Sequence, residues 1–372
     1  MAISTNTLVE VFPPGEYIQD ELEARGWLQT DLVDILGVDK KTVSDIIAGK
    51  RSITPDMAVL IGEAFGTGPE VWLNLDNAYR LHHTRCGADR VREVSRKSEL
   101  YAKYPIRQMA NRGWLSQTKD MALLEQELAA FFTPEDLGFA ARRSGDEAKE
   151  PLQLAWLYRA HHLARTLPAE PFSETALARA FPELKTLLRD PADLVRLPEI
   201  LARAGVRILI VEALPTSQID GVCFWLDQKM PVVALSTRLD RIDNFWFTLM
   251  HELMHVKYGH GRERAMLDVD ILGRKDDIPK EERLANEGAA EFCVPQAELE
   301  AFIAHTRPGF SMAKITAFAE DIQAHPGLVV GQLQHRGVIE YRQHRGALKK
   351  VRSALLADVA FDGWGEVATT TA

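Results

Sequence analysis

His251-Glu252-Leu253-Met254-His255 constrains this chain more than any other stretch. Residues four apart share one face of an α-helix. In helical form the two imidazoles can therefore grip one cation, while Glu252, rotated off their line, reaches the water on it. The histidines act as neutral nitrogen donors. The cation lowers the pKa of its water from about 15.7 toward roughly 7, and the glutamate takes the proton as water attacks a carbonyl. The surrounding residues predict the helix: Phe245-Trp246-Phe247-Thr248-Leu249-Met250 leads into the motif, and Leu249, Leu253, Met254 and Val256 flank the His/Glu stripe, as in a helix buried within a domain. Asp243 and Asn244 stand where capping residues belong, and Gly259 or Gly261 can end the helix.

Two histidines need a third protein ligand and one open position for water. Residues 281–293 (EERLANEGAAEFC) read as a second helix that stops before Pro295. Glu281, Glu282, Glu287 and Glu291 compete there, each with solvated helix surface as its ordinary alternative. Glu282 is favoured because Asn286 lies one turn on, where its amide can hydrogen-bond a ligating histidine and fix the tautomer. Ahead of the motif, Val206 to Val211, Gly221 to Leu226 and Val232 to Ser236 are strand-like, and Asp227-Gln228-Lys229-Met230 forms the turn between the last two. An edge strand beside the metal could hold an extended peptide by main-chain hydrogen bonds. Oxyanion stabilisation needs a further donor. Tyr258, His260 and His325 are the candidates, and His325, within His325-Pro326-Gly327-Leu328, is taken forward as catalytic beside Glu252. His82-His83 and His161-His162 have no accompanying carboxylate pattern, so surface is the default for them.

The run from Pro231 through His255, followed by Glu282 to Pro295, resembles the ImmA/IrrE family of metallo-endopeptidases, over about residues 200 to 340. The resemblance implies a gluzincin-like site with His251, His255 and Glu282 on zinc and Glu252 as general base. The position before Ala285, often a second glutamate in that family, is Leu284, which points further to Glu282.

A second signature lies at the other end. Across Gln29 to Ala48, Leu32, Leu36, Val38, Val43 and Ile46 are apolar and Gly37 marks a bend, the pattern of a helix-turn-helix whose second helix can enter a major groove. With its flanks, residues 12 to 81 resemble the five-helix domain of XRE/HigA-type antitoxins and repressors. Lys40, Lys41, Thr42, Ser44, Asp45, Lys50 and Arg51 are the candidate DNA contacts, on bases or phosphates. Residues 1 to 86 carry seven Lys/Arg against thirteen Asp/Glu, a net charge of 7 − 13 = −6. Phosphate contact supplies most nonspecific affinity, so the binding has to come from this local basic cluster, with Arg90, Arg92, Arg96 and Lys97 beyond it, or else the module serves protein contact.

At 372 residues and 46% hydrophobic content, the chain can bury two or three domains. Cys86, Cys223 and Cys293 lack metal spacing, and no apolar run approaches about 18 residues, so a cytoplasmic protein without disulfides is expected. A net charge of −9 disfavours membrane adsorption. Residues 87 to 195 read as helices broken at prolines, including Pro105, Pro151 and Pro182, with Trp156, Leu157, Leu163 and Leu167 at core spacing and a loop at 144–151.

The expected fold is α+β and mostly helical: a helix-turn-helix domain over 1–86, a helical middle region over 87–195, a gluzincin-like metallopeptidase domain with a small sheet over 196–340, and a basic C-terminal helix with a frayed tail at 341–372. The expected function is that of a zinc-dependent endopeptidase, with manganese the alternative metal, joined to a DNA-binding module that binds operator DNA as a homodimer. The resemblance implies a repressor or antitoxin as protein substrate, or the chain itself, in stress, prophage or toxin-antitoxin regulation. The rival reading is a repressor or antitoxin whose peptidase-like domain is a non-catalytic sensor or scaffold. Glu252 favours the enzyme, since a structural metal needs no base.

Overall fold

The structure, a computed structural model, describes residues 12–84, 87–133, 151–262, 266–269 and 279–365. Cys86, the tail at 369–372 and all of the loop expected at 144–151 except Pro151, which begins a helix, lie outside these residues. The chain divides into two units, Met1–Val94 and Ser95–Ala372.

The first unit contains α1 (Pro14–Arg25), α2 (Gln29–Leu36), α3 (Lys40–Ile47), α4 (Pro55–Phe65) and α5 (Pro69–His83), the five helices the sequence predicts. Proline stands at the start of α1, α4 and α5, where its missing N–H costs nothing. The bend between α2 and α3 is made by Gly37 at φ +64°, a left-handed conformation that favours glycine. Asp39 then starts α3 by accepting from Thr42 N at 2.8 Å. Ile18, Leu22, Leu32, Leu36, Val43, Ile46, Ile61, Phe65 and Trp72 pack into one core. The next helix in the chain is α6 (Ala88–Lys103).

The second unit is built on a mixed five-stranded sheet in the order β4-β2-β3-β1-β5. Its strands are β1 (Arg207–Val211), β2 (Ile219–Trp225), β3 (Pro231–Leu235), β4 (Met266–Val269) and β5 (Ala360–Asp362). β2 and β3 form the expected hairpin, whose turn is closed by Leu226 N donating to Met230 O at 3.0 Å. Both faces are covered, which is why the strands read as unbroken apolar runs. Ile208, Ile210, Cys223, Trp225, Val233 and Leu235 face one core, and Leu209, Val211, Val222, Phe224, Val232 and Ala234 face the other. That second core is closed by α7 (Ile106–Asn111), α8 (Met121–Phe131) and α9 (Pro151–Ala164), with Trp156 and Leu157 fully buried. The helical middle region thus supplies a layer of the sheet domain. Leu163 and Leu167 pack partly buried against the same core.

The remaining helices, on the first face or around it, are α10 (Glu174–Thr186), α11 (Leu197–Arg203), α12 (Ile242–Lys257), α13 (Lys280–Cys293), α14 (Gln296–Thr306), α15 (Met312–Asp321), α16 (Pro326–His335) and the short α17 (Arg352–Leu355). Pro182 lies inside α10 and does not end it, because Leu177, Ala180 and Leu184 bury one continuous face on both sides of the proline. The basic helix expected after Tyr341 does not form. Residues 341–350 run as turns with a single 3-10 turn at Arg345–Ala347, and β5 follows α17. The competing interactions are tertiary. Lys349 O accepts from Ile242 N at 2.9 Å, Asp240 Oδ1 accepts from Val351 N and Arg352 N, each at 2.9 Å, and β5 pairs parallel with β1. Buried Asp362 at the end of β5 is gripped by Arg112, Arg159 and the Trp114 indole.

In the first unit α1 crosses α3 so closely that a Cβ on Gly15 would stand 1.8 Å from Ile47 O. Only a glycine fits without moving the end of α3. Gly15→Ala is expected to destabilise this unit by at least the roughly 1–3 kcal/mol typical of overpacking. Urea titration with hydrogen exchange at α1 and α3 measures it, and unchanged protection in both helices would refute the account.

Candidate metal centre

Burial fixes α12 as the central helix. Phe245, Trp246, Leu249, Met250, Leu253, Met254 and Val256 are all buried. Each such side chain contributes roughly 1.5–3 kcal/mol, enough to offset placing His251, Glu252 and His255, all 0% exposed, in the same helix. The helix begins two to three residues earlier than its sequence suggests. Arg241 is the N-cap without a side-chain cap bond, and Asp243 and Asn244 lie within the first turn. Asp243 pairs with Arg241 instead, at 3.0 and 2.5 Å, while Lys349 O satisfies the first helical N–H.

The third donor is set by how closely α13 crosses α12. A Cβ on Gly288 would stand 2.8 Å from both Cγ and Sδ of Met254, and Ala285 and Ala289, fully buried, complete a small-residue contact. The close approach carries Glu282 to the two histidines. His251 Nε2 and His255 Nε2 are 3.0 Å apart, and Glu282 oxygens stand 3.3 Å from the first and 3.7 Å from the second. Donors about 2.0–2.1 Å from one tetrahedral zinc stand roughly 3.3 Å apart, so these separations fit three ligands converging on one cation. Among the described residues this is the group of three or more His, Cys, Asp or Glu with donor atoms close enough to share an ion. Burial, the largest single influence, opposes ionisation of Glu282. The hydrogen bonds and charges of His251 and His255 together outweigh it and hold the carboxyl well below its ordinary range. The donor set is therefore two imidazoles and a carboxylate, suited to zinc and other borderline divalent cations.

Glu252 faces β2. A Cβ on Gly221 would stand 2.5 Å from Glu252 Oε1 and 3.0 Å from Thr248 Cγ2, so the absent side chain makes room for the carboxylate. Sequence reading missed this role, although a glycine inside a strand signals close backbone approach. His260 also takes a place other than the oxyanion role weighed for it. Its Nδ1 lies 2.9 Å from His255 Nδ1. For His255 Nε2 to offer a lone pair, the ring proton sits on Nδ1 and donates to His260. Burial first, and then the neighbouring His255, hold His260 below the ordinary imidazole pKa, which keeps it a neutral acceptor. Trp225 Nε1 donates to His260 O at 2.8 Å and anchors the loop that carries it.

Other candidates fall elsewhere. Asn286 stands one turn beyond Glu282, but Oδ1, the acceptor that a ligating histidine would need, is buried without a partner, and His260 fills that role for His255. Glu281, Glu287 and Glu291 are outside the cluster, and Glu291 accepts from Gln296 N at 2.9 Å at the start of α14. Tyr258 is largely exposed beside His260. His325 is the N-cap of α16, where its Nδ1 accepts from Gly327 N at 3.0 Å. The strand expected to offer a free edge is also displaced: β2 is paired on both sides and β1 and β3 lie inside the sheet, leaving β4 and β5 at the edges.

In the helix-turn-helix, Lys40, Lys41, Ser44, Lys50 and Arg51 are exposed and Asp45 half-buried. Thr42 is buried, which removes it from the groove-facing set. Its hydroxyl donates to Asp39 at 2.7 Å and accepts from Arg51 Nη1 at 2.9 Å. The Thr42 bonds hold Asp39 below the usual carboxylate range.

A buried helix with two histidines, a carboxylate from the next long helix and a mixed sheet against Glu252 define a metallopeptidase-like domain. The IrrE N-terminal-like domain of the M78 peptidase family matches residues 202–338, and a helix-turn-helix family matches residues 18–72. YddM, an HTH-type transcriptional regulator of Escherichia coli, is 31% identical over 87 residues, 23% of this chain and 88% of the relative. Virulence-associated protein A' of Dichelobacter nodosus is 37% identical over 90 residues, 23% of this chain and 77% of its own length. Antitoxin HigA-1 of Vibrio cholerae is 38% identical over 72 residues, 19% of this chain and 68% of its own length. The chain belongs to the HigA-type helix-turn-helix regulators and carries an IrrE-like M78 peptidase domain C-terminal to that module. No described helix is long and apolar enough to cross a membrane.

The capping role of His325 has a pH signature. Burial first, and then the charge of Lys349, lower its pKa from 6.5. A group depressed on folding contributes stability that is present above the unfolded pKa and lost as pH falls through the folded one. Unfolding free energy should therefore drop more between about pH 7.5 and about pH 5 for wild type than for His325→Asn, which keeps an acceptor but cannot take the proton. Parallel urea titrations giving identical pH slopes would remove His325 from this role.

Proposed function

We propose that this protein is a divalent-metal-dependent endopeptidase coupled to a DNA-binding regulator module. The observation that carries the hydrolase reading is the convergence of His251, His255 and Glu282 with Glu252 buried on the same helix. His251, His255 and Glu282 would hold the cation, zinc or alternatively manganese. Such a cation supplies Lewis-acid polarisation of a peptide carbonyl and makes water more acidic. Glu252 takes a proton from the attacking water and returns it to the leaving amine. Gly221 leaves space for that carboxylate, and His260 keeps His255 in the tautomer that presents Nε2. The substrate class is a regulatory protein, a repressor or antitoxin, or the chain itself. The M78 match and the regulator and antitoxin names of the relatives support this reading.

One bound metal per chain is the expected stoichiometry. Elemental analysis should find it lost from His255→Ala and from Glu282→Ala but retained in Glu252→Gln. The last variant should cut proteins about 10² to 10⁴ times more slowly, the usual general-base contribution. Mass-spectrometric mapping of fragments from a protein mixture that includes the chain itself checks this, and equal rates for wild type and Glu252→Gln would sink the mechanism.

For the regulator module, we infer binding of a near-palindromic operator by a dimer, with half-sites about one helical turn apart. Support comes from the helix-turn-helix match and from the exposure of Lys40, Lys41, Ser44, Lys50 and Arg51 around α3. Lys41→Glu with Lys50→Glu is expected to weaken binding and flatten its salt dependence, because fewer counterions are released. Metal content should be unaffected. Gel-shift titrations of genomic fragments at two salt concentrations test this, and failure of the full chain to retard any fragment would turn α3 into a protein-contact helix.

A further inference from the structure

Residues 336–352 hold six Lys or Arg against one acid, Glu340, in a chain whose net charge is −9. Three of the six are engaged by the protein. Arg342 pairs with Glu340, Arg336 lies 3.7 Å from Glu300, and Arg352 donates to Thr237 O at 3.0 Å. Arg345, Lys349 and Lys350 are exposed and make no ion pair among the described residues. Lys349 also lines a cavity of about 380 Å³ beside the start of α16. His325 and His344 line it too, and Met312, Pro326 and Ala347 give it apolar walls. The two imidazoles each offer one atom. His325 Nδ1 accepts from Gly327 N at 3.0 Å, so in the neutral ring the proton is on Nε2, which has no hydrogen-bond partner among the described residues and is not sealed from solvent. His344 Nε2 donates to Phe310 O at 2.7 Å, which leaves Nδ1 as its reachable atom. His344 holds this place at φ +56°, a left-handed conformation uncommon outside glycine. The charge of Lys349 lowers the His325 pKa, and the opposing influence of Asp190 is the smaller of the two. The floor of the cavity is fixed by packing, since a Cβ on Gly327 would stand 2.5 Å from Ala347 O.

We propose that this cavity binds a small phosphomonoester, with the phosphate on Lys349 and His325 Nε2 and a ring or short alkyl group against Met312, Pro326 and Ala347. Charge selects the class. Three neighbouring cations without counter-ions favour a dianion, and a phosphomonoester gains its second charge at about pH 6, whereas a sulfate ester or a carboxylate carries one. Hydrogen bonds from an ammonium to phosphate oxygens are of the strong, charge-assisted kind. His344 Nδ1 accepts from a protonated phosphate oxygen or, once protonated, donates to it. The volume lies within the range of small-molecule sites. The site shares no residue with the metal-ligand cluster and is independent of peptide hydrolysis.

The test is calorimetric titration of the full chain with phenyl phosphate, phenyl sulfate and inorganic phosphate, at about 0.15 M salt, where distant surface charges are screened. Wild type should bind phenyl phosphate, and should bind phenyl sulfate and inorganic phosphate at least about five-fold more weakly, since one lacks the second charge and the other the apolar group. Lys349→Ala should weaken phenyl phosphate by at least about ten-fold, the size of one lost charge-assisted hydrogen bond. Gly346 also lines the cavity, and a Cβ there meets nothing within 4 Å, so Gly346→Trp fills the space without a clash and should weaken phenyl phosphate as much. Melting curves matching wild type establish that both variants are folded; should one fall short, Lys349→Met and Gly346→Leu replace them. Affinity should agree within about two-fold with added zinc and with chelator. No binding by wild type, equal affinity for phenyl sulfate, or no change in the Lys349 variant would each overturn the assignment. Inorganic phosphate bound as tightly as phenyl phosphate would reduce the site to nonspecific ion pairing, and binding lost with chelator would move the probe to the metal ligands. Displacement of phenyl phosphate by mixed-sequence duplex DNA would make this face a nucleic-acid contact instead. None of these results depends on whether Glu252 catalyses anything.

Discussion

The close crossing of α12 and α13 governs the rest of the C-terminal unit. Two imidazoles on one helix make half a site; the carboxylate that completes the donor set comes from a different helix and arrives only because Gly288, Ala285 and Ala289 let the two backbones approach. A larger residue at 288 would meet the Met254 side chain and lift Glu282 away from His251 and His255. The three donors and Glu252 are buried or nearly so, where an unmatched charge is costly. Their mutual placement is thus as much a condition of folding as of chemistry.

Around that crossing the sheet acts as a rigid backing. Its two faces are covered by different parts of the chain, the α10–α16 region on one side and α7 to α9 on the other. Asp362 ties these parts together. It lies at the end of β5 and is held by Arg112, Arg159 and Trp114, residues some two hundred or more positions earlier. A carboxylate 1% exposed and met by two guanidinium groups and an indole N–H is satisfied on several sides, the condition under which a buried charge is tolerated. The tight approach of Gly221 to Glu252 then follows from a sheet that cannot yield.

The amino-terminal unit divides its polar residues between internal and external work. Buried Thr42 bonds to Asp39 and to Arg51 and sets the start of α3, whereas Lys40, Lys41, Ser44 and Lys50 are exposed and have no part in that set of bonds. Residue type alone does not separate these two groups, since both are polar and interleaved within one short helix and its turn. Backbone direction does separate them, because Val43 and Ile46 must face the core and Thr42, adjacent to Val43, turns inward with them.

Local patterns in the sequence determined much of the protein. The H-E-x-x-H helix, the five helices around Gly37, the β2–β3 hairpin and the buried runs of Trp156 and Leu157 all follow from periodicity, turn chemistry and helix caps, which act within a few residues. Glu282 was also legible, though only as the favoured one of four glutamates. What tertiary structure alone decided was every relation between segments distant in the chain. It selected His260 as the partner of His255 and left Asn286 without that role. It made His325 the N-cap of α16. It covered β2 with β4 and drew the basic segment after Tyr341 into turns ahead of a short helix and an edge strand. Helix propensity is worth a few tenths of a kcal/mol per residue, so the basic stretch yields to tertiary bonds such as those of Lys349 O to Ile242 N and of Asp240 to Arg352 N. Those interactions depend on where the chain returns in space, and no short window of sequence contains that information.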